Sequence, residues 1–277
     1  MSERRVGTCR NVSQRVNALR PVAMSPLCPA GCTECILMHG AEWEMSAVKE
    51  GVGVTVIPEY GVVILRDVLT PDEQRELYLG HVKAVAKHPR GSGSGFVSFN
   101  VSYGAQGGST RQDSYMHEFG EKLFFLAAER TVDVLREESE KSSENSDNGC
   151  AAMSRMREIA DRSRPPIVEI VSGNAYLKTA RLNNHTDAKK PFCTMSFALG
   201  CDCELEVGRK TGSPHALERH GTPVRVTMRS GDAMFFDGGC VPHCVDRILP
   251  GTAPAFWDRV KPDDCERIIL LFREKMG

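Results

Sequence analysis

The sequence predicts an α+β fold in which helices precede a β-sandwich or β-barrel. Three features indicate this. Two helical patterns lie before residue 140, short stretches of β-branched and aromatic residues recur after Pro166, and Gly, Pro and Asp separate those stretches. Several short strands with turn signals and no strong helix between them are typical of sandwiches and barrels.

The first helix is expected to begin after Thr70 and to run to about His88. Thr70 can cap the helix, Pro71 suits its first turn, and Glu73 stands where a capping box needs a carboxylate. Pro89 should end the helix because proline cannot continue the backbone hydrogen bonds.

Two strands are expected around this helix. Residues 61–65 form a short apolar run, and residues 96–103 alternate well enough for a strand. Gly and Ser dominate residues 90–95, and residues 104–114 are rich in Gly, Ser and Gln, so both segments are expected to be loops.

A second helix is expected over about residues 117–136. Four apolar side chains share one face at helical spacing: Phe119, Leu123, Leu126 and Ala127. The pattern then changes to a polar, acidic run, and residues 137–150 are expected to form a flexible insertion.

The second half of the chain predicts eight strands. Their expected ranges are 167–176, 180–185, 192–199, 203–207, 223–228, 232–237, 243–248 and 266–273.

Composition limits the classes of protein that the chain can belong to. Its 277 residues suit one large or two small domains, and a 41% apolar content can bury a sizeable core. No apolar run approaches the roughly 20 residues of a membrane helix. Because no secretory signal is visible and the eleven cysteines are odd in number, we expect reduced thiols and an intracellular location, in the cytoplasm, nucleus or mitochondrion. We also expect a monomer. The net charge of −1 means that any surface for nucleic acid must be local.

Residues 1–51 are expected to form an irregular leader before a folded domain over residues 52–277. The first twenty residues carry five arginines against one acid, Glu3, which suits either a transit peptide or a solvated basic tail. A cluster in the leader could bind zinc, resembles the iron–sulfur motif of radical SAM enzymes, or is a set of free residues in a mobile tail. Its members are Cys28, Cys32, Cys35 and His39.

Three residues could hold a metal ion. His185 and Asp187 are two apart, so on a strand their side chains point to the same side. His243, at the start of a later strand, would complete the set of two histidines and one carboxylate that is typical of non-haem iron oxygenases. Each histidine alone would more often be a surface or structural residue.

Two arginines on the last strand could hold an anion. Arg267 and Arg273 are six apart, which places both on one face of an otherwise apolar strand. Burying two guanidinium groups without anions is unfavourable, and a dicarboxylate matches them in bidentate geometry. The alternative is an edge strand whose arginines are solvated.

The order of these motifs resembles the AlkB family of nucleic-acid dealkylases. Asn174-x-Tyr176, His185-x-Asp187, His243 and Arg267-x5-Arg273 follow the family's pattern in residue type and spacing. The resemblance is close over residues 166–273 and loose over residues 52–277. It implies a double-stranded β-helix, or jelly roll, with N-terminal helices packed on the sheet.

The resemblance also implies a role for each residue. Three side chains would bind Fe(II): His185, Asp187 and His243. Five would form the pocket for 2-oxoglutarate: Asn174, Tyr176, Leu182, Arg267 and Arg273. Among these, Arg267 would bind the distal carboxylate, Arg273 would lie near the metal, and O₂ would be the second co-substrate.

The sequence departs from the family at positions that contact ligands. Ile269 and Leu271 stand where family members often have polar residues. Lys189 replaces an acidic base-reading residue of the best-known bacterial form, and residues 105–112 lack its stacking tryptophan. The base-recognition residues are therefore altered, and the co-substrate contacts at Ile269 and Leu271 are expected to differ, while the iron ligands and the arginine pair match the family.

The function expected from these features is oxidative demethylation of alkylated nucleobases in DNA or RNA, with the target base flipped out of any duplex. Six basic residues near the expected pocket mouth suit this partner or an ordinary solvated surface: Lys178, Arg181, Lys189, Lys190, Arg209 and Lys210. A dioxygenase that hydroxylates or demethylates a protein or a small molecule is the alternative. A non-catalytic binding module with a vestigial metal site is an alternative of another class.

Overall fold

A computed structural model describes residues 52–103, 113–141, 150–187, 193–208 and 223–274. The chain divides into two units, Met1–Ala47 and Val48–Gly277, and every described residue belongs to the second unit. The cysteine and histidine cluster of the leader lies outside the described residues. Within the described ranges, no helix is both long enough and apolar enough to cross a membrane.

Two antiparallel sheets form the body of the fold. The seven-stranded sheet has the order β1-β2-β9-β6-β11-β4-β3, and the four-stranded sheet has the order β5-β10-β7-β8. The strands are β1 (Gly53–Ile57), β2 (Val62–Arg66), β3 (Phe96–Tyr103), β4 (Val168–Tyr176), β5 (Leu182–His185), β6 (Cys193–Gly200), β7 (Asp202–Val207), β8 (Val224–Met228), β9 (Ala233–Asp237), β10 (His243–Leu249) and β11 (Arg267–Glu274). One apolar cluster contains residues from both sheets, as the predicted jelly roll requires.

All eight strands predicted for the second half of the chain are present, with bounds that differ by at most two residues. The sequence interpretation missed β1, which pairs with β2 at the edge of the larger sheet. Its Val-Thr-Val-Ile run carried the β-branched signal, but the interpretation began the first strand only at Gly61.

The first helix begins as predicted but is shorter. Helix α1 (Pro71–Leu77) follows a complete capping box, in which the Thr70 backbone N–H donates to Glu73 Oε2 at 2.6 Å. A π-helix, Tyr78–Val82, then replaces the α-helix expected to reach His88. The Lys83 N–H donates to the Tyr78 carbonyl at 2.8 Å. This hydrogen bond spans five residues, as in a π-helix, and replaces the four-residue spacing of the α-helix.

Two further helices are α2 (Ser114–Lys141) and α3 (Cys150–Ala160). The predicted apolar face of α2 is buried in the same cluster as side chains of the larger sheet. A Cβ added to Gly120 would lie 2.5 Å from the Phe272 ring, so this glycine lets α2 approach β11 closely. A short helix, α4 (Trp257–Val260), precedes β11, and a 3₁₀ turn, Pro58–Tyr60, joins β1 to β2.

The expected flexible insertion over residues 137–150 is helical at its start. Helix α2 includes residues 137–141, and residues 142–149 lie outside the described part of the chain. Glu and Lys favour helices as well as disorder, so this composition does not separate the two states.

A buried ion pair joins α3 to the end of β11. Arg155 Nε lies 3.0 Å from Glu274 Oε1, and each side chain is 4% exposed. Arg155 Nη1 also donates to the Arg164 carbonyl. This ion pair therefore holds the end of β11, directly after Arg273, against α3.

Candidate active site

The three predicted metal ligands converge at one point. β5 and β10 are neighbours, and His185 pairs directly with His243 across them. The ligand atoms of His185, Asp187 and His243 all lie within 4.8 Å of one another. Asp187 Oδ1 is 3.3 Å from His185 Nε2 and 3.7 Å from His243 Nε2.

Hydrogen bonds orient both imidazoles. His185 Nδ1 lies 2.7 Å from the Asn183 carbonyl, and His243 Nδ1 lies 3.0 Å from the Val241 carbonyl. Because a carbonyl oxygen can only accept, each Nδ1 carries the hydrogen. In the neutral ring the Nε2 lone pair therefore faces Asp187, which is the form that binds a metal.

Asp187 reaches the site by a different route from the one predicted. β5 ends at His185, so Asp187 follows the strand instead of continuing it. Its backbone N–H donates to the Gly238 carbonyl at 2.6 Å, which anchors it to the loop before β10. A Cβ on Gly238 would lie 2.6 Å from Asp187 Oδ2, so the close approach requires glycine. The Asp187 side chain is only 16% exposed, although the residue as a whole, with its backbone included, is exposed.

The charges of the three groups suit a cation. Burial lowers the pKa of His243, and the charge of Asp187 offsets this only in part. Burial acts the same way on His185, but the hydrogen bonds to Asp187 and Asn183 outweigh it and raise its pKa. Burial alone would raise the pKa of Asp187, but His185, His243 and Arg273 together hold it below its usual value. The carboxylate is therefore ionised, as metal binding requires.

A cavity of about 240 Å³ opens between the two sheets beside these ligands. It is close to the small end of ligand pockets, which span about 300–1,000 Å³. All eight predicted site residues line it: Asn174, Tyr176, Leu182, His185, Asp187, His243, Arg267 and Arg273.

Arg267 is fully buried and incompletely paired. Its side chain has no exposed surface, and its Nη1 donates to the Cys201 carbonyl. Its Nε and Nη2 have no hydrogen-bond partner among the described residues. Unpaired buried donors of a charged group are unfavourable, so this edge of the guanidinium is suited to an anion in the cavity.

The two arginines lie on a central strand. β11 lies between β6 and β4, so the alternative of a solvated edge strand is wrong. Arg273 Nη1 donates to Ser172 Oγ at 2.5 Å. Ile269 and Leu271, which lie between the arginines, also line the cavity and give its middle an apolar wall.

Asn174 and Tyr176 are linked to each other and to a residue that the sequence interpretation missed. Asn174 Nδ2 donates to the Tyr176 hydroxyl oxygen at 3.4 Å, and Ser98 Oγ donates to Asn174 Oδ1 at 2.7 Å. Burial raises the pKa of Tyr176, so the phenol keeps its proton. Phe96, which lies on β3 with Ser98, stacks on Tyr176, with ring centroids 5.4 Å apart. Phe96 and Ser98 are two apart, so a strand places their side chains on the same face. This spacing alone could not indicate a site, because the sequence does not show that β3 pairs with β4.

The basic residues predicted near the mouth are described only in part. Lys178 and Arg181 are exposed in the turn between β4 and β5. The other four, and the loop over residues 105–112, lie outside the described residues.

No protein-family model matches the sequence, and no curated protein sequence matches it. Among solved structures, OsALKBH1 aligns over 80% of this chain and 100% of its own, with 18% identity and a TM-score of 0.52. The chain has the fold of OsALKBH1. This likeness and the two-sheet topology confirm the predicted double-stranded β-helix, and the OsALKBH1 fold brings the eight site residues to one cavity.

Two other solved structures align less closely. The non-heme α-ketoglutarate-dependent epimerase SnoN from nogalamycin biosynthesis has 17% identity and a TM-score of 0.38, with 77% of each chain covered. A 2OG-Fe(II) oxygenase family oxidoreductase from Burkholderia pseudomallei has 16% identity and a TM-score of 0.28, with 46% of this chain and 53% of that chain covered. Unlike OsALKBH1, neither contributes to the fold assignment.

Proposed function

We propose that this protein is an Fe(II)- and 2-oxoglutarate-dependent dioxygenase. One observation carries the proposal: a cluster of two histidines and one carboxylate shares a cavity with a fully buried arginine, two of whose donors have no partner in the described part of the chain. A vestigial site would have no reason to keep the arginine beside the ligand cluster, since a buried guanidinium is unfavourable without an anion. The binding-module alternative is therefore disfavoured.

The donor set fits iron. Two imidazole nitrogens and one carboxylate oxygen leave open coordination positions, the arrangement used by non-haem Fe(II) oxygenases. The carbonyls of Asn183 and Val241 orient the rings, and Gly238 leaves room for Asp187. Bound Fe(II), together with 2-oxoglutarate and O₂, would supply the oxidation of a substrate C–H bond.

The other end of the cavity fits a dicarboxylate. Arg267 would bind one carboxylate through Nε and Nη2 in fork geometry. The Tyr176 hydroxyl lies beside it as a neutral donor, and Ile269 provides an apolar surface for the methylene carbons. Arg273 is close enough to Asp187 to act on its charge, which places it toward the metal end.

The proposed substrate is a nucleobase that carries an N-alkyl group in DNA or RNA. The order of motifs that resembles the AlkB family supports it, and Lys178 and Arg181 offer exposed positive charge for phosphates. Hydroxylation of an N-methyl carbon forms a hemiaminal. Its C–N bond then breaks, the nitrogen takes back a proton, and formaldehyde leaves.

A protein or small-molecule substrate is the second candidate. Lys189 in place of an acidic residue and the lack of tryptophan in residues 105–112 favour it, because both changes remove base-recognition groups.

Turnover assays with defined substrates test both candidates. The protein would be incubated with Fe(II), ascorbate, 2-oxoglutarate and either methylated oligonucleotides or methylated peptides, with His243→Ala as the control. We expect succinate, formaldehyde and loss of a methyl group from an oligonucleotide. Turnover of peptides alone would establish the second candidate, and an absence of 2-oxoglutarate binding would contradict the enzyme assignment.

A further inference from the structure

The loop between β9 and β10, residues 238–242, contacts two of the three candidate ligands. The Gly238 carbonyl accepts the Asp187 backbone N–H at 2.6 Å, and the Val241 carbonyl accepts from His243 Nδ1 at 3.0 Å. Gly238 also lies against the Asp187 carboxylate, since a Cβ added to it would be 2.6 Å from Oδ2. The shape of this loop therefore sets where Asp187 and His243 lie relative to each other.

The loop is buried, although connecting loops usually lie at the surface. Every residue from Asp237 to His243 is buried. A buried backbone N–H has little access to water, so it needs an acceptor within the protein. The shape of the loop therefore depends on the groups that accept its N–H donors.

Asp237, the last residue of β9, supplies these acceptors. Its Oδ1 accepts the Gly239 N–H at 3.0 Å and the Cys240 N–H at 3.2 Å. Its backbone carbonyl accepts the Cys240 N–H as well, at 3.1 Å, and the Val241 N–H at 2.8 Å. The side chain and the backbone of one residue thus bond to three successive N–H groups of the loop.

The direction of these hydrogen bonds follows from the groups involved. A backbone N–H can only donate, so Asp237 Oδ1 must accept from both Gly239 and Cys240. Asp237 is 2% exposed, so solvent competes little for this oxygen. Removing the carboxyl group would leave the buried Gly239 N–H without this acceptor, and the loop would have to shift to find another.

We propose that Asp237 is a positioning residue for the metal, because its carboxyl oxygen holds the loop in the shape that presents Gly238 to Asp187 and the Val241 carbonyl to His243. This inference rests on the proposed function, since the metal is taken to be Fe(II). The candidate ligand cluster among the described residues does not include Asp237, which acts through the loop.

The test is a calorimetric titration of Fe(II), under anaerobic conditions, into the metal-free full chain. The variants are Asp237→Ala, Asp237→Asn and Asp237→Ser. Asp232→Ala is the matched control, because Asp232 is a fully buried aspartate at the opposite end of β9. Its carboxylate also accepts backbone N–H groups and pairs with an arginine, but its partners lie outside the loop: Asp67, Arg229 and Arg66. Urea unfolding of each variant is measured alongside.

We expect Asp237→Ala to raise the Kd for Fe(II) about tenfold, at the low end of the roughly ten- to hundredfold that follows loss of a group supporting metal ligands. Asp237→Asn should bind within about threefold of the wild type, because its amide oxygen can accept the same N–H. Asp237→Ser should lie between the two, since a serine hydroxyl forms such turns more weakly. It replaces the alanine variant if that variant does not fold.

The control separates positioning from general stability. Asp232→Ala should lower the urea midpoint at least as much as Asp237→Ala, because it also loses an ion pair, yet its Kd for Fe(II) should stay within about twofold of the wild type.

Three results would overturn the inference. The first is wild-type Fe(II) affinity in both Asp237→Ala and Asp237→Ser, and the second is an asparagine variant that binds as weakly as alanine. The third is an equal loss of affinity in Asp232→Ala, which would mean that any loosening of β9 is sufficient. A wild-type protein that does not bind Fe(II) would instead overturn the proposed function, and the inference with it.

Discussion

Replacing Arg267 by methionine should weaken co-substrate binding steeply without weakening the fold. The guanidinium is fully buried, donates one hydrogen bond to the Cys201 carbonyl, and leaves two nitrogens unpaired among the described residues. In the free protein it is therefore a desolvated charge with little compensation. Apolar replacement of such groups is often neutral or stabilising by about 1–4 kcal/mol, and the lost carbonyl bond subtracts about 1 kcal/mol.

The effect on binding should have the opposite sign and be larger. Losing a buried, charged hydrogen bond to a ligand costs about 2–5 kcal/mol, which corresponds to roughly thirtyfold to several-thousandfold in affinity for 2-oxoglutarate. Wild type at a ligand concentration of one hundred Kd should gain about 2.7 kcal/mol of stability, whereas Arg267→Met should gain less than about 1 kcal/mol at that concentration. Arg267→Lys should recover little, because a point charge cannot reproduce the fork.

Chemical unfolding with and without 2-oxoglutarate, followed by circular dichroism, measures both effects, and metal titration checks that Fe(II) still binds. Arg247→Met is the control, because Arg247 is a 59% exposed arginine whose partner is Glu204, and the loss of an exposed ion pair should leave the free energy of unfolding almost unchanged. If Arg267→Met binds 2-oxoglutarate normally, or destabilises the free protein by more than about 2 kcal/mol, the guanidinium is structural and the reasoning is refuted.

Three other perturbations have defined outcomes. Alanine at any one of the three candidate ligands should abolish Fe(II) binding while leaving the circular dichroism spectrum unchanged; full iron occupancy in Asp187→Ala would contradict the metal site. Gly238→Ala should weaken Fe(II) binding about ten- to a hundredfold in calorimetric titration, because the new Cβ would lie 2.6 Å from Asp187 Oδ2 and must displace it. Glu274→Ala should lower the free energy of unfolding in urea by about 3–5 kcal/mol, since it leaves the buried Arg155 charge without its main partner; a loss below about 1 kcal/mol would show that the pair is hydrated.

Much of the fold was predictable because its signals are local. The capping box at Thr70 and Glu73 depends on four consecutive residues, and its hydrogen bonds are present. The strands of the second half are short β-branched runs between turn residues, so their bounds were predicted closely. The predicted extent of the first helix was wrong, because the helix changes to a π-helix at Tyr78, and the first residues of the expected insertion belong to a helix.

The candidate ligands could also be named from sequence, because motif order and spacing are properties of the chain. The sequence did not show why the three candidate ligands lie close together in the fold. His185 and His243 become neighbours through the pairing of β5 with β10, and Asp187 is held by Gly238, fifty-one positions away by their numbering. Residues 185–187 and 238–243 carry no local mark of this contact.

The sequence by itself determined the strand pattern, the three candidate ligands and the presence of two arginines on one strand face. Only the tertiary structure decided that β11 lies in the middle of a sheet, that Arg267 is buried with two donors unpaired among the residues described, and that Ser98 reaches Asn174. The physical reason is that alternation along a strand sets which face a side chain occupies, whereas the pairing of distant strands sets what that face meets.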